Sequence, residues 1–154
     1  MRQAILIAAI PLAFAAGLLA SNVAPVAHAQ SQASALQPQI INLGAMTDAE
    51  IGDLVPNIGT LRSRTLVVQP EGTIAIQSGD VPRHTHSDAN EIQYIIAGSG
   101  TAWLGDQQRQ IRAGDLIIIP KGTVHAGSVS GSDRLKMLAI KLPPQRAGDM
   151  HLVP

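Results

Sequence analysis

The feature that most constrains the fold is a series of short segments rich in β-branched residues after residue 60. Most of these segments end at a Gly or a Pro. Runs of this length, bounded by turn-forming residues, are typical of β-strands. Seven segments are predicted as strands: Thr65–Gln69, Thr73–Gln77, Glu91–Ala97, Thr101–Leu104, Gln107–Arg112, Leu116–Ile119 and Leu135–Leu142. Strands this short and this evenly spaced predict an all-β sandwich or barrel.

Two connections and one strand carry more specific expectations. Pro70-Glu71-Gly72 predicts a hairpin turn, and Gly105-Asp106 predicts a tight turn between two further strands. Leu116–Ile119 is apolar without alternation, which predicts that both faces of this strand are buried.

The segment before the strands carries a helix signal. Thr47 and Glu50 have the spacing of a capping box, and apolar residues follow at helical spacing. This pattern predicts a short helix that ends near Pro56. Residues 40–154 show neither an internal repeat nor a boundary, so they are expected to form a single domain.

The composition excludes several kinds of function. The 154 residues contain no cysteine, which excludes disulfides, thiolate metal sites and catalytic thiols. Lys+Arg and Asp+Glu are equal at 11 each, which argues against nucleic acid or an anionic membrane surface as the main partner. With 45% hydrophobic but only 2% aromatic residues, the chain must fold around an aliphatic core.

The first 29 residues have the anatomy of a secretory signal peptide. Arg2 is followed by an almost wholly apolar run over residues 4–20, and Ala27-His28-Ala29 fits a cleavage site. The alternative is a membrane anchor, for which this run, interrupted by Pro11, is short. We therefore expect a periplasmic or secreted protein without a stable anchor, beginning with a flexible polar arm at 30–39.

The histidines are the main candidates for functional residues in this sequence. His84-Thr85-His86 would direct both imidazoles to one side of an extended strand. Glu91 follows after a short polar connection, and His125 follows Pro120-Lys121-Gly122. Three neutral imidazoles and one carboxylate suit a divalent first-row transition metal, with Asp88 as an alternative carboxylate. Taken singly, each of these residues could equally be an ordinary polar side chain.

Two motifs resemble those of the cupin superfamily. Gly79, His84-Thr85-His86, Glu91 and Gly98 are similar to the first motif, over residues 79–98. Gly114, Pro120-Lys121-Gly122 and His125 are similar to the second motif, over residues 114–125. The sequence departs from the family pattern in a slightly shorter gap after Gly79 and in Val129, where Asn is usual.

The resemblance implies a double-stranded β-helix, a small jelly-roll barrel, with a metal inside. It implies that His84, His86, Glu91 and His125 are the metal ligands. It also favours a homodimer built on exposed sheet edges, which otherwise invite pairing. The identity of the metal stays open among Fe, Mn, Zn, Ni and Cu.

The fold does not choose a reaction. The leading hypothesis is a small metal-dependent enzyme of dioxygenase, lyase or isomerase type acting on a small organic substrate, with Glu91 as a possible base. The alternative is a non-catalytic module that binds a metal or a small ligand. No further acid or base could be assigned to the cavity.

For six other side chains, the position in a strand or turn predicts a direction or a role less specifically. Gln93 is expected to face the cavity, Tyr94 to face outward and Arg83 to point away from the ligands. The remaining three are expected to be structural or incidental: Trp103, Lys121 and His151.

Overall fold

The computed structural model describes residues 35–154, apart from the side chains of residues 127–130. The predicted signal peptide therefore lies outside the described residues, as does the start of the predicted arm. The described chain holds one helix and ten strands: α1 Asp48–Ile51, β1 Arg62–Gln69, β2 Gly72–Ser78, β3 His84–His86, β4 Asn90–Ala97, β5 Ser99–Leu104, β6 Gln107–Arg112, β7 Leu116–Ile119, β8 His125–Ser130, β9 Lys136–Leu142 and β10 Met150–Leu152.

The strands form two five-stranded antiparallel sheets. The first sheet has the order β1-β2-β9-β4-β7, and the second has the order β10-β3-β8-β5-β6. This arrangement confirms the predicted all-β class and the double-stranded β-helix. Within residues 35–154 no helix has the length and apolarity that a bilayer crossing requires.

The helix prediction is right in kind and wrong in length. Thr47 caps α1 through a complete capping box with Glu50. The helix stops at Ile51 rather than near Pro56, because Gly52 follows with φ of 123° and its N–H returns to the carbonyl of Asp48.

The prediction that both faces of β7 are buried is wrong. Leu116 and Ile118 are 59% and 64% exposed, whereas Ile119 is buried and Ile117 packs against the core. The reason is orientation: Leu116 is the cross-strand partner of Tyr94 on the outer face of the sheet, where Tyr94 is exposed as well. β7 is also an edge strand that pairs with β4 alone. An apolar run therefore indicated a strand here but not the burial of both its faces.

The inner face of the first sheet changes from polar to apolar along two neighbouring strands. On β4 the buried residues are Glu91, Gln93 and Ile95, and the antiparallel strand β9 has Lys141, Ala139 and Met137 beside them. Ile95 and Met137 belong to the main apolar cluster, with Ala102, Ile111 and Leu135. The polar residues therefore collect at the opposite end, where the functional residues lie.

The outer face of β2 is covered by the segment around α1. Ile76 packs there with Met46 and Ile51, and Ser78 donates a hydrogen bond of 2.8 Å to Asp48. Because alternate residues of a strand face opposite sides, Thr73, Ala75 and Gln77 face the barrel interior. This orientation matters for the site described next.

Candidate metal centre

The four predicted ligands come from both sheets. His84 and His86 lie on β3, and His125 at the start of β8 is the cross-strand partner of His84. Glu91 lies on β4 of the other sheet. The fold therefore brings together residues that the sequence separates by a turn and by four strands.

The cluster is compact and buried. One donor atom from each of His84, His86, Glu91 and His125 lies within 4.8 Å of the other three. All four residues are at most 4% exposed. Since metal–ligand bonds of about 2.0–2.2 Å separate opposite ligand atoms by about 4–4.4 Å, the cluster has the size of a coordination sphere.

Each imidazole is held by its Nδ1 atom. His84 Nδ1 lies 2.8 Å from the Pro82 carbonyl, and His125 Nδ1 lies 3.0 Å from the Thr123 carbonyl. His86 Nδ1 lies 3.0 Å from Oδ2 of Asp149. Carbonyl and carboxylate oxygens only accept, so Nδ1 carries the proton on all three rings. The Nε2 atoms are thus unprotonated and able to coordinate a metal, with the rings fixed in orientation.

Two buried atoms of the cluster lack a hydrogen-bond partner among the described residues. They are Oε2 of Glu91 and Nε2 of His125. These atoms lie 3.4 Å apart, and Nε2 of His86 lies 3.1 Å from the same oxygen, without hydrogen-bond geometry. Buried polar atoms are normally paired, so an orphaned carboxylate oxygen facing an orphaned imidazole nitrogen fits a metal ion between them. The donor set and these orphaned atoms therefore fit a divalent transition metal.

The pKa shifts of His84 and Glu91 favour the protonation states that can coordinate a metal. Burial lowers the pKa of His84 to about 4, and the neighbouring His125 adds to this effect. Burial alone would raise the pKa of Glu91, but contacts with His125 and His86 and the charge of Lys141 hold it well below its ordinary value. At neutral pH His84 is therefore neutral and Glu91 is ionised, as metal binding requires.

Lys141 is a site residue that the sequence analysis missed. Its Nζ lies 3.2 Å from Nε2 of His86 and 3.5 Å from Oε2 of Glu91, and it donates a hydrogen bond to Gln145. It is the cross-strand partner of Glu91 and is only 9% exposed. In the predicted strand Leu135–Leu142, Lys141 lies on the same side as Met137, because alternate residues of a strand share one side. This position could have indicated that Lys141 faces inward.

Asp149 is the second missed residue. Its side chain is fully buried, and it accepts hydrogen bonds from His86 and from the backbone N–H of Asp88. The pKa of its carboxyl is lowered: burial opposes ionisation, but the Asp88 N–H and the nearby His86 outweigh it. It precedes β10, a strand that sequence patterning did not reveal, so no signal pointed to it.

The weaker expectations can now be compared with the structure. Gln93 lines the cavity beside the cluster, as predicted, and donates a hydrogen bond of 2.9 Å to Glu91. Tyr94 is 45% exposed, as expected for an outward side chain. Asp88, the alternative ligand, is exposed and outside the cluster. Arg83 lies over the ring of Trp103, 5.0 Å from its centroid.

Two residues expected to be incidental lie away from the cluster. Lys121 is exposed, and its backbone N–H donates to the side chain of Asn90. His151 is exposed, with Nε2 2.7 Å from the hydroxyl of Ser87.

A cavity of about 220 Å³ opens beside the cluster. Its polar wall includes His84, Glu91, Gln93 and Lys141. Its apolar wall comes mainly from the segment after α1, through Val55, Ile58 and Leu61. A cavity of this size suits a small organic molecule with one apolar side.

Known proteins resemble this chain at two levels. An uncharacterised protein of Methanocaldococcus jannaschii is 30% identical over 102 residues, which cover 65% of this chain and 77% of that protein. An acireductone dioxygenase of Frankia alni is 32% identical over 128 residues, which cover 80% of this chain but only 60% of the dioxygenase. A Klebsiella pneumoniae protein with a double-stranded β-helix domain superposes with a TM-score of 0.59 at 18% identity, over 77% of this chain and 99% of that one.

The family model of the cupin domain matches residues 71–141. This range includes β2 to β9 almost completely and contains all four residues of the cluster. Together with the double-stranded β-helix fold and the relatives, the match identifies the chain as a member of the cupin superfamily.

Proposed function

We propose that this protein is a small metal-dependent enzyme that acts on a small organic substrate. His84, His86, Glu91 and His125 hold a divalent transition metal, and the cavity beside them receives the substrate. The signal peptide that the sequence predicts supports action in the periplasm or outside the cell.

The observation that carries catalysis, rather than metal binding alone, is the buried ammonium group of Lys141. A lysine at this position adds nothing to a site that only holds a cation. Its Nζ lines the cavity and lies 3.2 Å from a ligand imidazole, so it is within reach of a substrate in the cavity. It can stabilise negative charge on a substrate oxygen or donate a proton to it.

The metal and the residues around it would have different roles in such a reaction. A bound divalent ion would act as a Lewis acid on a substrate oxygen. Gln93 holds Oε1 of Glu91, which leaves Oε2 directed at the cluster. The apolar wall of the cavity excludes water from the reacting groups. These roles favour proton-transfer chemistry of the lyase or isomerase type.

A dioxygenase is the second candidate. It is supported by the 32% identity to the acireductone dioxygenase, which covers 60% of that enzyme's length. The two candidates differ in one measurable quantity, because only a dioxygenase consumes dioxygen in proportion to substrate.

The test uses the metal-stripped protein reloaded with Fe, Mn, Ni, Cu or Zn in turn. Each form is assayed against organic acids, diketones and phenols, with dioxygen uptake and product analysis in parallel. Lys141→Met should lower turnover by about 10²–10⁴-fold while the bound metal is retained. Lys121→Met removes an exposed lysine and is the matched control.

Three results would contradict the proposal. Turnover that survives His125→Ala would mean that the metal is not the catalyst. Full turnover in Lys141→Met would mean that Lys141 takes no part in the reaction. The absence of turnover with every metal and substrate would favour the non-catalytic binding module.

A further inference from the structure

A second hollow adjoins the cavity beside the metal cluster. It has a volume of about 310 Å³ and shares Ser63, Gln77, Lys141 and Gln145 with the first cavity. We call it the polar groove, and its other lining residues are Thr65, Thr73, Ala75, Ala139, Arg146 and Ala147. Lys141 is the charged side chain common to both spaces.

The groove exists because the inner face of the first sheet lacks large side chains there. Thr73, Ala75 and Gln77 are alternate residues of β2 on the face opposite Ile76. Ala139 is the cross-strand partner of Ala75 and has no bulk to fill the space. The apolar cluster that fills the other end of the barrel therefore does not extend into this part.

The lining of the groove is hydroxylic and cationic. Ser63, Thr65 and Thr73 offer hydroxyls, and Gln77 and Gln145 offer amides. The two charged residues of the lining, Lys141 and Arg146, are both cations, and the lining includes no carboxylate. Among the described residues Arg146 makes no ion pair, so its guanidinium is available to a ligand.

From these features we infer that the substrate is a hydroxylated organic acid. Its carboxylate lies in the polar groove against Arg146, its hydroxyls contact the serine, threonine and glutamine side chains, and its reacting end reaches Lys141 and the metal cluster. Guanidinium groups bind carboxylates through paired, charge-assisted hydrogen bonds, which a neutral molecule of the same shape cannot form. The inference rests on the proposed function, because it assigns the substrate class of that same site.

The test compares gluconate with glucitol, which has the same number of carbons and a neutral hydroxymethyl group in place of the carboxylate. Both are titrated calorimetrically into the metal-free protein at low ionic strength. Gluconate should bind about tenfold more tightly than glucitol, the effect of one charge-assisted hydrogen bond worth about 1.4 kcal/mol. Arg146→Gln should remove this preference, because it weakens gluconate and leaves glucitol unchanged.

Arg109→Gln is the matched control. Arg109 is exposed on β6 of the other sheet, and its guanidinium contacts Gln107. This variant loses the same charge and should keep gluconate affinity within about twofold, well below the tenfold expected at Arg146. Unchanged melting temperatures would show that both exposed arginine variants fold.

Three outcomes would overturn the inference. They are equal affinities for gluconate and glucitol, no detectable gluconate binding, or an equal loss in Arg146→Gln and Arg109→Gln. Metal binding is measured separately by titration of the same protein. If metal fails to bind while gluconate binds, the proposed function fails and the groove assignment stands; the reverse result rejects only the substrate class.

Discussion

Acid should destabilise the metal-free protein through one imidazole, that of His84. Burial lowers the pKa of His84 to about 4, against an ordinary value of 6.5. The unfolded chain therefore takes up this proton at a higher pH than the folded chain does. The stability that neutral His84 contributes is complete above pH 6.5 and is lost as the pH falls towards about 4.

The size of the effect follows from the shift. Each pKa unit corresponds to about 1.4 kcal/mol, so the full loss is about 3 kcal/mol and the part between pH 6.5 and pH 5 is about 2 kcal/mol. Glu91 acts in the same direction but in a lower window. Its depressed pKa gives stability that is present above its ordinary value of 4.5 and lost below it. Measurements above about pH 5 therefore isolate the histidine.

Urea unfolding of metal-stripped protein, followed at about pH 7, 6 and 5, measures this loss directly. The His84→Gln variant keeps a polar side chain but cannot titrate, so its free energy of unfolding should change much less over this range. His151→Gln removes an exposed histidine and should keep the full pH dependence. If His84→Gln lost stability with the same slope as the unmodified protein, the burial argument would be refuted.

Three further predictions concern the metal and the backbone. Saturating metal, at about a thousandfold above its Kd, should add about 4 kcal/mol to the free energy of unfolding. A chelator should remove that gain and His86→Ala should abolish it, as followed by the melting temperature; a melting temperature indifferent to chelator would contradict a bound metal. Asp149→Ala frees Nδ1 of His86 and should weaken metal affinity by about 10- to 100-fold in competition with a chromogenic chelator. Undiminished affinity would mean that the carboxylate does not orient the ring. Gly98→Ala should lower the melting temperature more than Gly105→Ala. Both glycines have positive φ, but a Cβ at Gly98 would lie 2.4 Å from the Arg134 carbonyl, whereas at Gly105 it meets nothing within 4 Å. Equal losses would refute the steric argument.

All four residues of the cluster could be named from the sequence. His84 and His86 have strand parity, and the resemblance of the two motifs added Glu91 and His125. Strand parity is local and can be read from the residues alone, whereas the meeting of the two motifs was an implication of the resemblance. That the four residues bind a metal stays a prediction, which the chelator experiment tests.

The residues that sequence reasoning missed depend on long-range pairing. Lys141 belongs to the site because β9 pairs with β4, which sets it opposite Glu91. Asp149 contacts His86 because β10 pairs with β3, and a strand of three residues leaves little periodic signal. Hydrophobic pattern alone also could not tell that the outer face of the sheet is exposed at β7, so the burial of Leu116 was overestimated.

The division of the cluster between the two sheets has a consequence for the way this barrel comes apart. Three donors belong to one sheet and the carboxylate to the other, so a bound ion would tie the sheets together at the end that lacks an apolar core. Opening of that end requires the ion to leave, and the rate of opening is then set by metal dissociation. Amide hydrogen exchange at β3 and β4 should consequently slow on metal loading, whereas exchange at β6, the edge strand that β5 separates from β8, should stay the same. Uniform slowing across all strands would instead indicate a general gain in stability, with no local fastening of the two sheets.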